Sequence, residues 1–442
     1  MIKKISVGRT DSQPPNLGGS SPWAWVPTLY FAEGLPYVAV MTISLIMYKR
    51  LGLSNTDITL YTSWLYLPWV IKPLWSPFID ILRTKRWWIV AMQLLIGAAL
   101  GGVAFTIPGP YWLQGSLAFF WLMAFSSATH DIAADGFYML GLEQHEQAYF
   151  VGIRSTFYRI ATIVGQGLLV MLAGNLEVVT RNIKYSWSIT FYGMAGLFIA
   201  FWLWHHYILP RPAEDKGMTR LTGGEIMSEF WQTLKTFFHK PQVWAGICFM
   251  LFYRMPEGLL AKVSALFLID AEHNGGLGLS PAEYGLVQGT VGVIGLTLGG
   301  ILGGIVASRD GLKRWLWPMV MAITLPDLVY VYLSCALPEN FLIINTCVFV
   351  EQFGYGFGFS AYMLYLIYYS QGEHKTAHYA LCTAFMALSM MIPGLFAGAL
   401  QESVGYPAFF LIVVAACAMT YIVTAFLKID PEFGKKKKEE GA

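Results

Sequence analysis

Apolar runs long enough to cross a lipid bilayer recur along almost the whole chain, separated by short polar turns. A hydrocarbon core about 30 Å thick takes roughly twenty apolar residues of helix. Twelve such runs can be read: 23–48, 57–80, 87–107, 111–141, 149–174, 185–208, 242–270, 281–308, 314–335, 341–369, 375–401 and 405–429. Lipid offers no hydrogen bonds, so each span must pair its own backbone groups, which makes it a helix. The composition agrees, with 56% hydrophobic and 13% charged residues, where soluble domains carry about 25% charge. Several runs exceed the straight span, which predicts tilt. The expected fold is all-α and integral to the membrane: twelve transmembrane helices in two pseudo-symmetric six-helix halves.

Residues 23–208 and 242–429 form the predicted halves, joined by a polar linker, 209–241. Within the linker the stretch IMSEFWQTLKTFFHKP has the spacing of an amphipathic, interfacial helix. Residues 1–22 read as a disordered tail and 430–442 as a basic one. No cleavable signal peptide is evident. Twelve spans place both termini on one face. Of the 29 Lys and Arg residues, twenty fall on that face, and only Lys49, Arg50, Arg181 and Lys184 fall opposite. The positive-inside rule then makes both termini cytoplasmic.

The halves echo each other. Glu33 and Glu257 sit in similar segments 224 residues apart, Asp131 and Glu351 are 220 apart, and Asp80 and Asp310, each beside a basic turn, are 230 apart. A nearly common offset is the signature of a duplicated transporter unit. Charge within the spans concentrates on helices 1, 4, 7 and 10, with Glu33, Asp131, Asp135, Arg254, Glu257, Lys262 and Glu351; helix 2 adds Lys72, and helix 5 adds Arg154 and Arg159. Charges at such depth face partners or a wet cavity, so Glu33, Asp131, Glu257 and Glu351 are expected around a central cavity.

Asp131 and Asp135, four residues apart, share a helix face. Two adjacent carboxylates do not readily ionise together, which suits a proton-coupling pair. Glu33 joins them, and Arg159 is the expected balancing cation; Arg154 reads as a snorkelling residue near the membrane edge. The solute would be held by Lys72, Arg254, Glu257, Lys262, Glu351, Gln352, Tyr355 and Tyr362, the last two sharing a face of helix 10. Asp80 with Arg83, and Arg309 with Asp310, are expected to form gate pairs on the terminal side. Gly295, Gly299 and Gly303 read as helix packing, whereas Gly354, Gly356 and Gly358 read equally as packing or as a bendable segment. Five scattered cysteines and eight unclustered histidines give no metal or catalytic constellation; neither enzyme activity nor a cofactor is expected, and nucleic acid is not an expected partner.

The segments FAEGLPY, KPLWSPFID, SSATHDIAADGF, FYRIA, LFYRMPEGLLAKVSALFLI and FVEQFGYGFGFSAYM resemble signature segments of the AmpG-type muropeptide permeases, a family of the major facilitator superfamily related to the acetyl-coenzyme A transporters. Glu33 departs from the small residue expected in the first segment, and the end of helix 4, GFYML, departs from a polar continuation. The resemblance implies proton-driven import of a cell-wall saccharide-peptide across the inner (cytoplasmic) membrane, with a small solute and protons as partners and a monomer as the working unit. It implies roles for Lys72, Asp80, Asp131, Asp135, Arg159, Glu257 and Glu351. The alternatives are a facilitator for another organic anion, such as an acyl-coenzyme A-like or siderophore-like molecule, and a non-transporting membrane sensor or enzyme.

Overall fold

The computed structural model describes residues 21–142, 144–213, 215, 223–372 and 375–433. The tails predicted at 1–22 and 430–442 fall mainly on residues 1–20 and 434–442, outside the described residues. Among the described residues every regular element is a helix. The first half comprises α1 (Pro22–Arg50), α2 (Asn55–Trp64 and Leu67–Leu82), α3 (Lys85–Thr106), α4 (Trp112–Gly141), α5 (Gln144–Thr162, Ile163–Leu169 and Val170–Thr180) and α6 (Ile183–Ile208). The second comprises α7 (Val243–Phe252 and Met255–Ile269), α8 (Pro281–Asp310), α9 (Leu312–Ala336), α10 (Phe341–Ser370), α11 (Lys375–Val404) and α12 (Tyr406–Ala425).

Local chemistry sets the reversals. Ser54 accepts from the Asp57 amide at the start of α2, Thr84 from Trp87 at α3, and Asn182 from Tyr185 at α6. Ser280 and Glu283 form a reciprocal capping box behind Pro281 at α8; each arrangement satisfies orphan helix donors. The linker holds a helix, Gly223–Phe238, that packs on α11. Its Phe237 is buried against Tyr369 and Phe385, while Trp231 stays 61% exposed, as an amphipathic segment requires.

In the first half α3 lies between α4 and α6, and α1 packs on α5; in the second α10 lies between α8 and α9, and α7 packs on α11 and α12. The glycines of α10 are packing residues, which settles the two readings: α10 runs unbroken, and a Cβ on Gly354 or Gly356 would meet the Ala322 or Leu296 carbonyl oxygen at 2.2 or 2.1 Å. The halves meet through α2 against α11 and α5 against α8. Both seams lie on the side opposite the termini and are equally tight. A Cβ on Gly398 would stand 2.2 Å from the Asn55 oxygen, and one on Gly289 2.2 Å from that of Gln166. Polar contacts close this side further. Lys49 pairs with Asp270 at 2.8 Å, and Asn55 donates to Gln401 at 2.7 Å and to the Tyr406 hydroxyl at 3.0 Å.

Candidate solute and proton site

A cavity of about 660 Å³ lies between the halves, lined by residues of α1, α5, α7, α8, α10 and α11. It reaches Tyr30 and Arg154 near the terminal-side ends of α1 and α5, and stops at Val38, Thr42, Gln166 and Val293. Beyond that floor the seams are shut, so access is from the side bearing the termini. The floor coincides with π-helical turns in α1 (Ala39–Ile43), α5 (Ile163–Leu169) and α8 (Val287–Gly292), the α5 turn packing on the other two.

The first-half wall presents Glu33 together with Arg154 and Arg159. Glu33 lines the cavity, and its Oε2 is buried with no hydrogen-bond partner. Asp131 and Asp135, both half-buried, act on Glu33 electrostatically, as do Arg154 and Lys72. Asp131 accepts from the Trp69 indole N–H at 2.9 Å, with Lys72 and Asp135 as its charged neighbours. Asp135 accepts from the Tyr30 hydroxyl at 3.3 Å and pairs with Arg154 at 3.1 Å. Arg154 also donates to Tyr30 at 3.0 Å and lies over the rings of Tyr30 and Tyr138. The cation on Asp135 is thus Arg154 and the one beside Asp131 is Lys72, while Arg159 makes no ion pair with either among the described residues. Arg159 lines the cavity farther in, against α8 at Gly300. Lys72, expected at the solute, stands with the acids.

The second-half wall is cationic and aromatic. α7 breaks at Tyr253–Arg254, just before Pro256, which lacks the N–H needed to continue the ladder. The hydroxyl of Thr420 on α12 donates to the Tyr253 carbonyl at 3.0 Å. The break places Arg254 in the cavity wall. Its guanidinium donates to the Tyr355 hydroxyl, lies 4.7 Å from the centre of the Phe359 ring, and keeps a buried Nε without a partner.

Several expected solute ligands are elsewhere. Of the four acids expected around one cavity, Glu33 alone lines it among the described residues. Glu257 and Glu351 are buried at 8% and 2% exposure, in electrostatic contact with each other and with Asp327, and Gln352 donates to Glu351 at 2.9 Å. Tyr362 is fully buried and donates to the Met250 carbonyl at 2.6 Å. The cavity face of α10 runs through Tyr355, Phe359 and Met363, at i, i+4 spacing, which leaves Tyr362 on the edge turned to α7. Lys262 is buried across the seam, donating to Thr62 at 2.6 Å and lying over Tyr66.

The side chain of Asp80 lies outside the described residues. Arg83 stacks over Trp87, while Asp310 pairs with Arg309 at 3.0 Å and Arg314 at 3.8 Å and accepts from Trp315. Arg309 and Asp310 are paired within one half, and in this conformation no ion pair among the described residues joins the halves on the terminal side. Sequence reasoning missed Tyr30, Trp69 and the partnership of Arg154, and it missed the Lys49–Asp270 latch, whose two charges lie 221 positions apart at two span ends.

Two helical halves around a central, one-sided cavity have the fold of the major facilitator class. The profile of the Major Facilitator Superfamily matches residues 259–442. The anhydromuropeptide permease of Escherichia coli (strain K12) is 26% identical over 400 residues, covering 88% of this chain and 76% of its own, so the resemblance to AmpG-type permeases is shown along most of the sequence. The D-xylose–proton symporter shares the fold at a TM-score of 0.66 and 12% identity, over 91% of this chain and 96% of its own. The nucleoside transporter NupG shares it at 0.65 and 14%, over 94% and 100%.

Proposed function

We propose that this transporter imports an anionic, sugar-bearing solute of the muropeptide class across the inner (cytoplasmic) membrane, toward the side bearing its termini, in step with protons. The observation that carries this reading is one cavity whose charged lining among the described residues is three arginines, Arg154, Arg159 and Arg254, with the carboxylate Glu33, and with Tyr355 and Phe359 beside Arg254. An anion belongs on the second wall, where a charge-assisted hydrogen bond is worth about 1.5–3 kcal/mol, and sugars suit its aromatic faces. A relative named as an anhydromuropeptide permease supports the solute class. The lysine and arginine distribution supports cytoplasmic termini, and a cavity complete within one chain supports a working monomer.

The acids of the first half supply the coupling. With the cavity open to the terminal side, Asp135 accepts from Tyr30 and pairs with Arg154. A change in the Arg154 side chain within its own half, accompanying the rocking, would leave Glu33, Asp131 and Asp135 close together, and proton uptake from the opposite side would relieve their repulsion. Arg159, on the same helix, is then the cation that competes for the carboxylates. Asp131→Asn and Asp135→Asn should abolish accumulation driven by a pH gradient in proteoliposomes. Counterflow exchange of labelled muropeptide should survive, since it needs no net proton movement. Normal accumulation in both variants would reduce the acids to structural residues.

A further inference from the structure

Away from the central cavity, on the terminal side of the second half, two recesses adjoin. The first, about 380 Å³, is lined by Lys240, Gln242, Tyr368, Tyr369, Gln371 and Lys428. The second, about 420 Å³, shares Gln242 and Lys428 and continues along Trp244, Cys248, Val423 and Phe426. The first sits where the chain enters α7 and leaves α10 and α12; the second runs along the outer surface of α7 and α12.

The two differ in chemistry in the way the two ends of a lipid differ. In the apolar recess Trp244 and Phe426 are 71% and 68% exposed, so it faces outward from the bundle at helix ends, the depth at which acyl chains meet headgroups. In the polar recess the Lys240 amine is fixed by donating to the main-chain oxygens of Tyr369 and Gln371 at 2.5 and 2.7 Å, over the Tyr369 ring. An ammonium has three donors, so one remains for a ligand. Burial pushes the Lys240 amine below its usual range, and an adjacent anion would oppose that shift. Lys428 is exposed and forms no ion pair among the described residues. Asp430, two residues on, accepts instead from the Glu432 amide.

We propose that this double recess binds one anionic phospholipid, with the phosphate between Lys240 and Lys428 and an acyl chain along Trp244, Cys248, Val423 and Phe426. Charge selects the headgroup, and the continuity of the two recesses requires a ligand that is anionic at one end and apolar at the other. A lipid seated there would tie the start of α7 to the ends of α10 and α12.

Trp244 gives a direct readout. The full-length protein is titrated with brominated phosphatidylglycerol or brominated phosphatidylcholine in mixed micelles, and the signal is the part of the tryptophan quenching that disappears in Trp244→Phe. A lysine near a membrane surface is worth about 1 kcal/mol toward anionic lipid, or about five-fold in affinity. With two such lysines, phosphatidylglycerol should quench at roughly twenty-five-fold lower mole fraction, and the Lys240→Gln, Lys428→Gln double variant should lose most of that preference. Lys240→Arg should keep it, which separates lost charge from lost folding. Equal quenching by both lipids, or an unchanged preference in the double variant, overturns the proposal. Displacement of the lipid by glycerol 3-phosphate alone also overturns it, since the recess would then be a site for free phosphate.

Discussion

Arg154 and Arg159 lie five residues apart on α5, and their surroundings separate them: Arg154 faces Asp135 and Tyr30, Arg159 the far cavity wall. Arg254 is the cation best placed for an anionic solute, because its Nε is buried and unpaired. Arg254→Gln should weaken an anionic muropeptide about ten- to a hundred-fold, the loss of one charge-assisted bond, while a neutral sugar analogue changes little in the same binding titration. Equal losses would mean that Arg254 serves the helix break and not the solute. Asp270, just past the end of α7, makes a second case. Burial opposes its ionisation, but hydrogen bonds from Lys49, Asn274 and Tyr406 outweigh this and hold its carboxyl below the usual range. A carboxyl lowered on folding stabilises above its unfolded pKa near 3.9 and loses that contribution as pH falls through the folded value. The latch should therefore be constant from pH 5 to 8, with cysteine accessibility of the closed face flat across that window. Asp270→Asn should raise that accessibility about ten-fold at every pH in it, since a charge-assisted pair is worth about 1–3 kcal/mol.

At the scale of helices, close glycine contacts divide into two kinds. Gly289 joins α8 to α5 across the halves, and Gly354 joins α10 to α9 within one half. In either place a methyl group would stand 2.2 Å from a carbonyl oxygen, and overpacking costs about 1–3 kcal/mol. The consequences should differ because the α5–α8 seam lies between the halves while the α9–α10 contact lies within one. Gly289→Ala should shift the protein toward its other conformation, read as new labelling of cysteines on the closed face, with little change in Tm. Gly354→Ala should lower Tm by several degrees and leave the labelling pattern alone. If Gly289→Ala only lowers Tm, the seam is part of a rigid fold.

Across the whole molecule the closed side holds the latch and both seams, and the open side holds the cavity mouth. Rocking of two such halves about the cavity floor exchanges the sides. Spin labels at Arg83 and Arg309, on the terminal-side ends of α2 and α8, should move closer by several ångströms when the closed side is forced open by Gly289→Ala. Labels flanking Lys49 and Asp270 should move apart in the same sample. Motion of one pair without the other would exclude a rigid exchange of the halves.

The spans, the duplicated halves and the charged helices were legible in the sequence because each rests on short-range physics: twenty apolar residues per crossing, the cost of charge in lipid, and one offset linking Glu33 to Glu257 and Asp131 to Glu351. The same reasoning put these four acids around one cavity. The folded chain separates them, because Pro256 breaks α7, Glu257 and Glu351 turn inward beside Asp327, and Glu33 keeps the cavity to itself among the four. Helical spacing aligned Tyr355 with Tyr362, but the direction of approach of α7 decided which of them lines the cavity. Sequence shows which side chains are too costly to leave in lipid. It does not show which partner relieves the cost, since Asp135 with Arg154 and Lys49 with Asp270 are paired by the packing of helices far apart in the chain.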